Sequence, residues 1–135
     1  MSQGERVSTQ EFAGNALGSG PVRVLGGFTV TGTAPIRYDP TNGWYGTKSL
    51  WYADPSYQGP FLIRGRQLDG DGQISFGEQP QGKMLFIRAG PTINSGYGYR
   101  EAPGGTYVKS PGCYAFQVDG VNFSYIITFE AIPSA

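Results

Sequence analysis

The chain has 135 residues, ten Lys and Arg against ten Asp and Glu, one Cys and no His. A chain of that length carries one domain around one core. The charges cancel and the basic residues are scattered from Arg6 to Lys109. No cluster exists to hold a phosphate backbone or an anionic membrane, so nucleic acid is not an expected partner. The lack of His removes Ser-His-Asp and Cys-His nucleophile systems and the commonest ligand of catalytic zinc.

Along the chain, residues 1–20 are polar and Gly-rich and read as a loosely held arm with one short strand around Val7 to Phe12. Met1 to Gln10 contains no apolar h-region, so no signal peptide is expected there. No run approaches the roughly 18 apolar residues of a spanning helix, and membrane insertion is not expected. From Pro21 onward, short β-type runs alternate with Gly, Pro, Asn or Asp. They are Val22 to Val30, broken at Gly26-Gly27, then Trp44 to Ala53, Phe61 to Leu68, Gln73 to Phe76 and Lys83 to Ala89. Tyr97 to Glu101 and Thr106 to Lys109 follow as short pieces, before Cys113 to Val118 and Val121 to Glu130. Turn formers stack at Tyr38 to Gly43 and Asp69 to Gly72.

The strongest local signal is Asp119-Gly120 between two alternating runs, which predicts a hairpin with a type I′ turn. Phe123, Tyr125, Ile127 and Phe129 fall on one face. Asn122, Ser124, Thr128 and Glu130 fall on the other, with Ile126 the exception. Twenty-two Gly and ten Pro interrupt nearly every stretch of ten residues, so helical spacing finds no room. The expected fold is all-β, an antiparallel two-sheet β-sandwich, Ig-like or jelly-roll-like, of nine or ten short strands. The arm covers residues 1–20 and the sandwich domain residues 21–135.

Five features carry candidate chemistry. Gln67 to Glu78 matches the twelve-residue EF-hand loop at several positions, with Asp69, Asp71 and Glu78 as candidate calcium ligands. The first position holds Gln67 instead of Asp, and both flanks are β-patterned, so a strand-turn-strand is the plainer reading. A helical EF-hand is not expected. Arg64 and Arg66 share one strand face, either as a solvated face or as a clamp for a carboxylate or phosphate. Cys113, in a packed run, is expected to be buried and inert. The triplet Asn122-Phe123-Ser124 fits the N-glycosylation pattern but falls inside an expected paired strand.

Aromatics are the fifth feature. Trp44-Tyr45 and Trp51-Tyr52 are adjacent pairs that must send one ring to each face of a strand. With Tyr57, Tyr97 and Tyr99 they form the candidate ligand-binding set, for a protein or polysaccharide surface.

Gly59-Pro-Phe-Leu-Ile-Arg64-Gly-Arg66-Gln-Leu-Asp69-Gly70, and later Ser110-Pro-Gly-Cys113-Tyr-Ala-Phe-Gln117-Val-Asp119-Gly120 with Phe123-Ser124, resemble an uncharacterised group of bacterial secreted or lipoprotein domains of Ig-like β-sandwich fold. The resemblance covers about half the chain. It implies an extracytoplasmic setting, a lone buried Cys and no catalytic residues. The expected function is a non-enzymatic extracytoplasmic module for interaction, adhesion or surface assembly. The alternatives are a carbohydrate-binding module using the same aromatics, with or without a structural calcium, and an enzyme working through turn carboxylates.

Overall fold

The computed structural model describes residues 8–11, 14–29, 31–91 and 100–134. Among them every regular element is a strand: β1 (Ser8–Glu11), β2 (Gly14–Leu17), β3 (Val22–Gly26), β4 (Thr33–Asp39), β5 (Trp44–Ala53), β6 (Phe61–Gln67), β7 (Ile74–Gly77), β8 (Met84–Ile87), β9 (Arg100–Val108), β10 (Gly112–Gly120) and β11 (Ser124–Pro133). Gly and Pro cut the apolar runs into pieces too short to nucleate a stable helix. No helix of the described residues is long and apolar enough to cross a membrane.

β1, β2 and β3 pair antiparallel in chain order, and β3 continues onto the second half of β5, from Gly26↔Ser49 to Val22↔Ala53. The first half of β5 takes the end of β4 on that edge. Its other edge carries β9, and β9 carries β7. In the second group, β10 lies between β11 and β6, and β6 carries β8. β4 belongs to both groups. Thr33 to Ile36 run parallel to Glu130 to Pro133 of β11, while Arg37 to Asp39 pair with β5.

The all-β expectation holds, but the sheet is mixed and has eleven strands among the described residues. β4 was hidden by Pro35, which removes a ladder donor and argues against a strand; here Pro35 is exposed. A parallel pair between distant segments also has no hairpin turn to announce it. Strand β9 runs straight through Pro103-Gly104-Gly105, where the sequence suggested a break. Pro103 lies past the end of β7, whose pairing stops at Gly77↔Gly105, so no described strand pairs with that edge of β9 there.

Part of the expected arm belongs to the sheet. Ala16 and Leu17 are fully buried and pair with Leu25 and Val24. The β10–β11 hairpin forms as expected, with Ile127 and Phe129 buried and Ser124, Ile126 and Glu130 exposed. Its turn differs, because Gly120 still belongs to β10 and its N–H reaches the Phe123 carbonyl at 2.9 Å, which puts Val121 and Asn122 at the tip of the bend. Gly120 is needed there for close approach: a Cβ would meet the Phe123 ring at 2.3 Å. Asn122 is consequently exposed in a loop and not in a paired strand.

The core is aromatic. Phe116 of β10 meets Trp51 of β5 edge-on at 5.0 Å between centroids and stacks on Phe129 of β11 at 4.8 Å. Phe28 stands edge-on to Phe129 at 5.4 Å. Since Trp51 comes from one strand group and Phe116 and Phe129 from the other, these contacts tie the groups together. Aromatic burial of this kind removes about 150–250 Å² per ring from water.

Among the described residues one charged side chain lies inside. Arg100, 1% exposed, begins β9 beside Ala53. Its guanidinium donates to four backbone carbonyls: Gly90 at 2.6 Å, Arg88 at 2.6 Å, Gly59 at 2.8 Å and Tyr57 at 3.1 Å. The Phe61 ring lies 5.7 Å from its central carbon. Burial pushes its pKa down while Tyr57 acts the other way; a guanidinium stays charged regardless.

Candidate functional site

Alternation along β5 sends Trp51 inward and Tyr52 outward, as adjacency requires. Neither ring is available to a partner. Trp51 is in the main core, and Tyr52 is fully buried in a second cluster with Ala16 and Leu25, flanked by Leu50. The sequence reading missed this because β2, which supplies Ala16, was not foreseen.

Tyr57 is also structural. Its hydroxyl donates to the Pro60 carbonyl and accepts the Val121 N–H at 3.0 Å, and its ring stands edge-on to Phe123 at 4.9 Å. Tyr45 is half-buried against the core with Tyr38 tilted on it at 5.0 Å. Trp44 is half-buried with the Lys109 ammonium 4.3 Å from its ring centre. Tyr97 and Tyr99 lie outside the described residues.

An aromatic held in a fixed orientation on the outer side of β9 is Tyr107, which was not in the expected set. It sits on β9 directly across from Gly46 and two residues after Gly105. A Cβ on Gly46 would meet one side of its ring at 3.0 Å, and a Cβ on Gly105 would meet the other side at 2.7 Å. The two glycines therefore leave a bare strip of backbone on which the ring lies flat. Its hydroxyl donates to the Glu78 carbonyl at 2.7 Å, with the Gly77 carbonyl at 3.2 Å, which fixes the ring's orientation. Burial, then the Glu78 carboxylate, raise the phenol's pKa, so it remains a neutral donor. The only sequence signal for this plate was a Gly opposite an aromatic, and that is invisible without the pairing.

Two hollows flank the plate and share Gly46 and Tyr107. One, about 470 Å³, is lined by Lys48, Glu78 and Pro103. The other, about 390 Å³, is lined by Arg37, Asp39, Asn42 and Trp44. The second wall is a stiff turn. Asp39 accepts from the Thr41 hydroxyl at 2.6 Å and the Thr41 N–H at 2.9 Å, and Gly43 closes the turn at φ +77°.

The candidate calcium ligands are differently disposed. The loop runs strand to strand between β6 and β7, without helices. Asp69 accepts the Cys113 N–H at 3.0 Å and the Gln67 amide at 3.0 Å, Asp71 is exposed, and Glu78 follows β7 beside the Tyr107 plate. No group of three or more His, Cys, Asp or Glu suited to a metal occurs among the described residues. Cys113 is half-buried where full burial was expected, and burial followed by the Asp69 and Glu130 carboxylates raises its pKa.

Three carboxyl groups are held below their ordinary range. The Thr41 hydroxyl and N–H do this for Asp39, and the Cys113 N–H leads for Asp69 against opposing burial. At Asp119 burial opposes the shift, but Ser124, Gln117 and Arg64 outweigh it. A carboxyl whose folded pKa is depressed stabilises the fold above its unfolded pKa, and that contribution is lost as pH falls through the folded value. The urea midpoint is therefore expected to stay level from pH 7 to roughly 5 and to drop below roughly pH 4. A midpoint constant down to roughly pH 2 would show these bonds to be without effect.

Fold and site together define an all-β domain with an oriented aromatic plate on the outer side of the β5–β9 ladder. Comparison with protein-family models, curated proteins and solved structures finds no match to this chain.

Proposed function

We propose that the protein is a non-catalytic binding module, built as a two-sheet β-sandwich, that serves interaction, adhesion or surface assembly outside the cytoplasm. The observation that carries the reading is the Tyr107 ring, seated on Gly46 and Gly105 with its orientation fixed by hydrogen bonding. A rigid aromatic gives large contact area at little entropic cost on binding. The aromatic contacts between the two strand groups support the sandwich architecture. The extracytoplasmic setting rests on the resemblance of the Gly59–Gly70 and Ser110–Gly120 segments.

A saccharide is the second reading. A flat ring bordered by Arg37, Asp39 and Asn42 on one side and Lys48 and Glu78 on the other offers stacking for a sugar face and hydrogen bonds for its hydroxyls. Affinity electrophoresis and a glycan array test it. Retardation by at least one polysaccharide is expected, weakened about tenfold by Tyr107→Ala, the value of roughly one aromatic stacking contact. Tyr107→Phe, which keeps the ring, should retain most of the binding. No retention by any polysaccharide removes the saccharide, leaving a protein surface. Retention unchanged in Tyr107→Ala removes the plate as the contact surface.

A further inference from the structure

A second surface feature lies on the other strand group, away from the Tyr107 plate. Directly paired residues of neighbouring antiparallel strands share one face. The pairing therefore aligns Met84, Arg64, Gln117 and Ile126 in one row across β8, β6, β10 and β11, and Arg66, Ala115 and Thr128 in the next. All lie on the face opposite Ile63, Phe116 and Ile127, which are buried. Ala115 is short, so the sheet sinks at the centre of the second row. The result is a groove of about 670 Å³ lined by Arg64, Arg66, Leu68, Ala115, Gln117 and Ile126.

Its two charged walls differ. The Arg64 guanidinium is tethered to Asp119 at 3.2 Å, and Asp119 is held in turn by the Ser124 hydroxyl at 2.6 Å and the Gln117 amide at 3.1 Å. The Arg66 side chain is exposed and has no ion pair or hydrogen bond among the described residues. On the far side Ile126 is 38% exposed, and Met84 at the end of the Arg64 row is 56% exposed. An unpaired guanidinium beside greasy side chains in one hollow is unusual for a face meant only for water. Single exposed apolar residues are ordinary, but Ile126 lines a concavity with a cation at its rim, while Met84 stands outside it.

We propose that this groove binds an oxyanion carried on an apolar body, with an alkyl carboxylate as the ligand class. Arg66 takes the carboxylate, bidentate where the geometry allows, as planar guanidinium and carboxylate groups match. Arg64, whose charge Asp119 balances, supplies further N–H donors two residues away on the same face. Ala115, Leu68 and Ile126 receive the chain. Charge complementarity selects an anion, and the apolar floor selects one with a hydrophobic tail.

The test is a titration of the folded protein with decanoate, decanol and acetate, followed by methyl and amide NMR shifts. Decanoate is expected to give saturable shifts at Ala115 and Ile126. Decanol, with the same tail and no charge, should bind at least tenfold more weakly, and acetate should not saturate. Arg66→Gln is expected to weaken decanoate at least tenfold while leaving the melting temperature unchanged, because the replaced side chain is exposed. Ile126→Ser should weaken it independently, and Tyr107→Ala should leave it alone. Equal binding of decanol and decanoate, full affinity in Arg66→Gln, or shifts centred on other residues would each overturn the proposal.

Discussion

Replacing Arg100 by Met is expected to lower the unfolding free energy by roughly 3–5 kcal/mol, the range seen when a buried charged network is broken from one side. The cause is not the loss of an ion pair, because the hydrogen-bond partners of this guanidinium among the described residues are all backbone carbonyls. Removing it strands the carbonyls of Tyr57, Gly59, Arg88 and Gly90 together. Each buried acceptor left unsatisfied costs about 1–3 kcal/mol, less where water can enter. The two loops that carry them, one before β6 and one after β8, lose their tie to β9. Thermal unfolding by circular dichroism should show a fall in Tm on the order of 10 °C. Arg100→Lys should recover little, since an ammonium is a compact point charge and cannot span four acceptors. A Lys variant as stable as the parent would mean that charge alone, and not the fork of donors, holds these loops.

Phe116→Ala is expected to cost about 3–5 kcal/mol in urea unfolding, the usual range for a large aromatic deleted from a core. Phe116 meets Trp51, Phe129, Phe28 and Phe76 within 6.2 Å between centroids. The void would open where the two strand groups touch, with rigid strands on both sides that cannot collapse into it. Phe116→Leu should return most of the loss by refilling the volume. A cost below about 1 kcal/mol for Phe116→Ala would mean that the two groups are not closed on each other at this point.

The elements legible in the sequence were those whose signal is local. β5, β6 and the β10–β11 hairpin follow from period-2 alternation, and the turns at Asp39 to Gly43 and Asp69 to Gly72 follow from their composition. What escaped is what pairing decides. β4 contains a Pro and joins a distant partner in parallel, β9 crosses a Pro-Gly-Gly that reads as a break, and β2 was concealed in a Gly-rich stretch. The hairpin bend was misplaced because the ladder continues past Asp119, with the Gly120 N–H on the Phe123 carbonyl, and moves the tip to Val121 and Asn122.

The site was legible only in kind. Aromatics of β5 and its surroundings were singled out, but composition cannot tell which side of a strand a neighbour will cover. Trp51 and Tyr52 are consumed by packing on opposite faces. Tyr107 is left in a usable position because Gly46 happens to face it across the ladder. Arg64 and Arg66 were recognised as sharing a face. The hollow between them depends on Ala115 of another strand, about fifty residues on.

The dual membership of β4 also bears on how a growing chain acquires this shape. Its first half is completed only by Glu130 to Pro133, so the seam between the two strand groups stays open until those residues emerge from the ribosome. Until then Ala34 and Ile36, later buried, and the edge of β10 remain bare, a state prone to sticking to other chains. Joining β4 to β11, two segments about a hundred residues apart, makes closure of the seam depend on a contact of long sequence separation, which is slow to form.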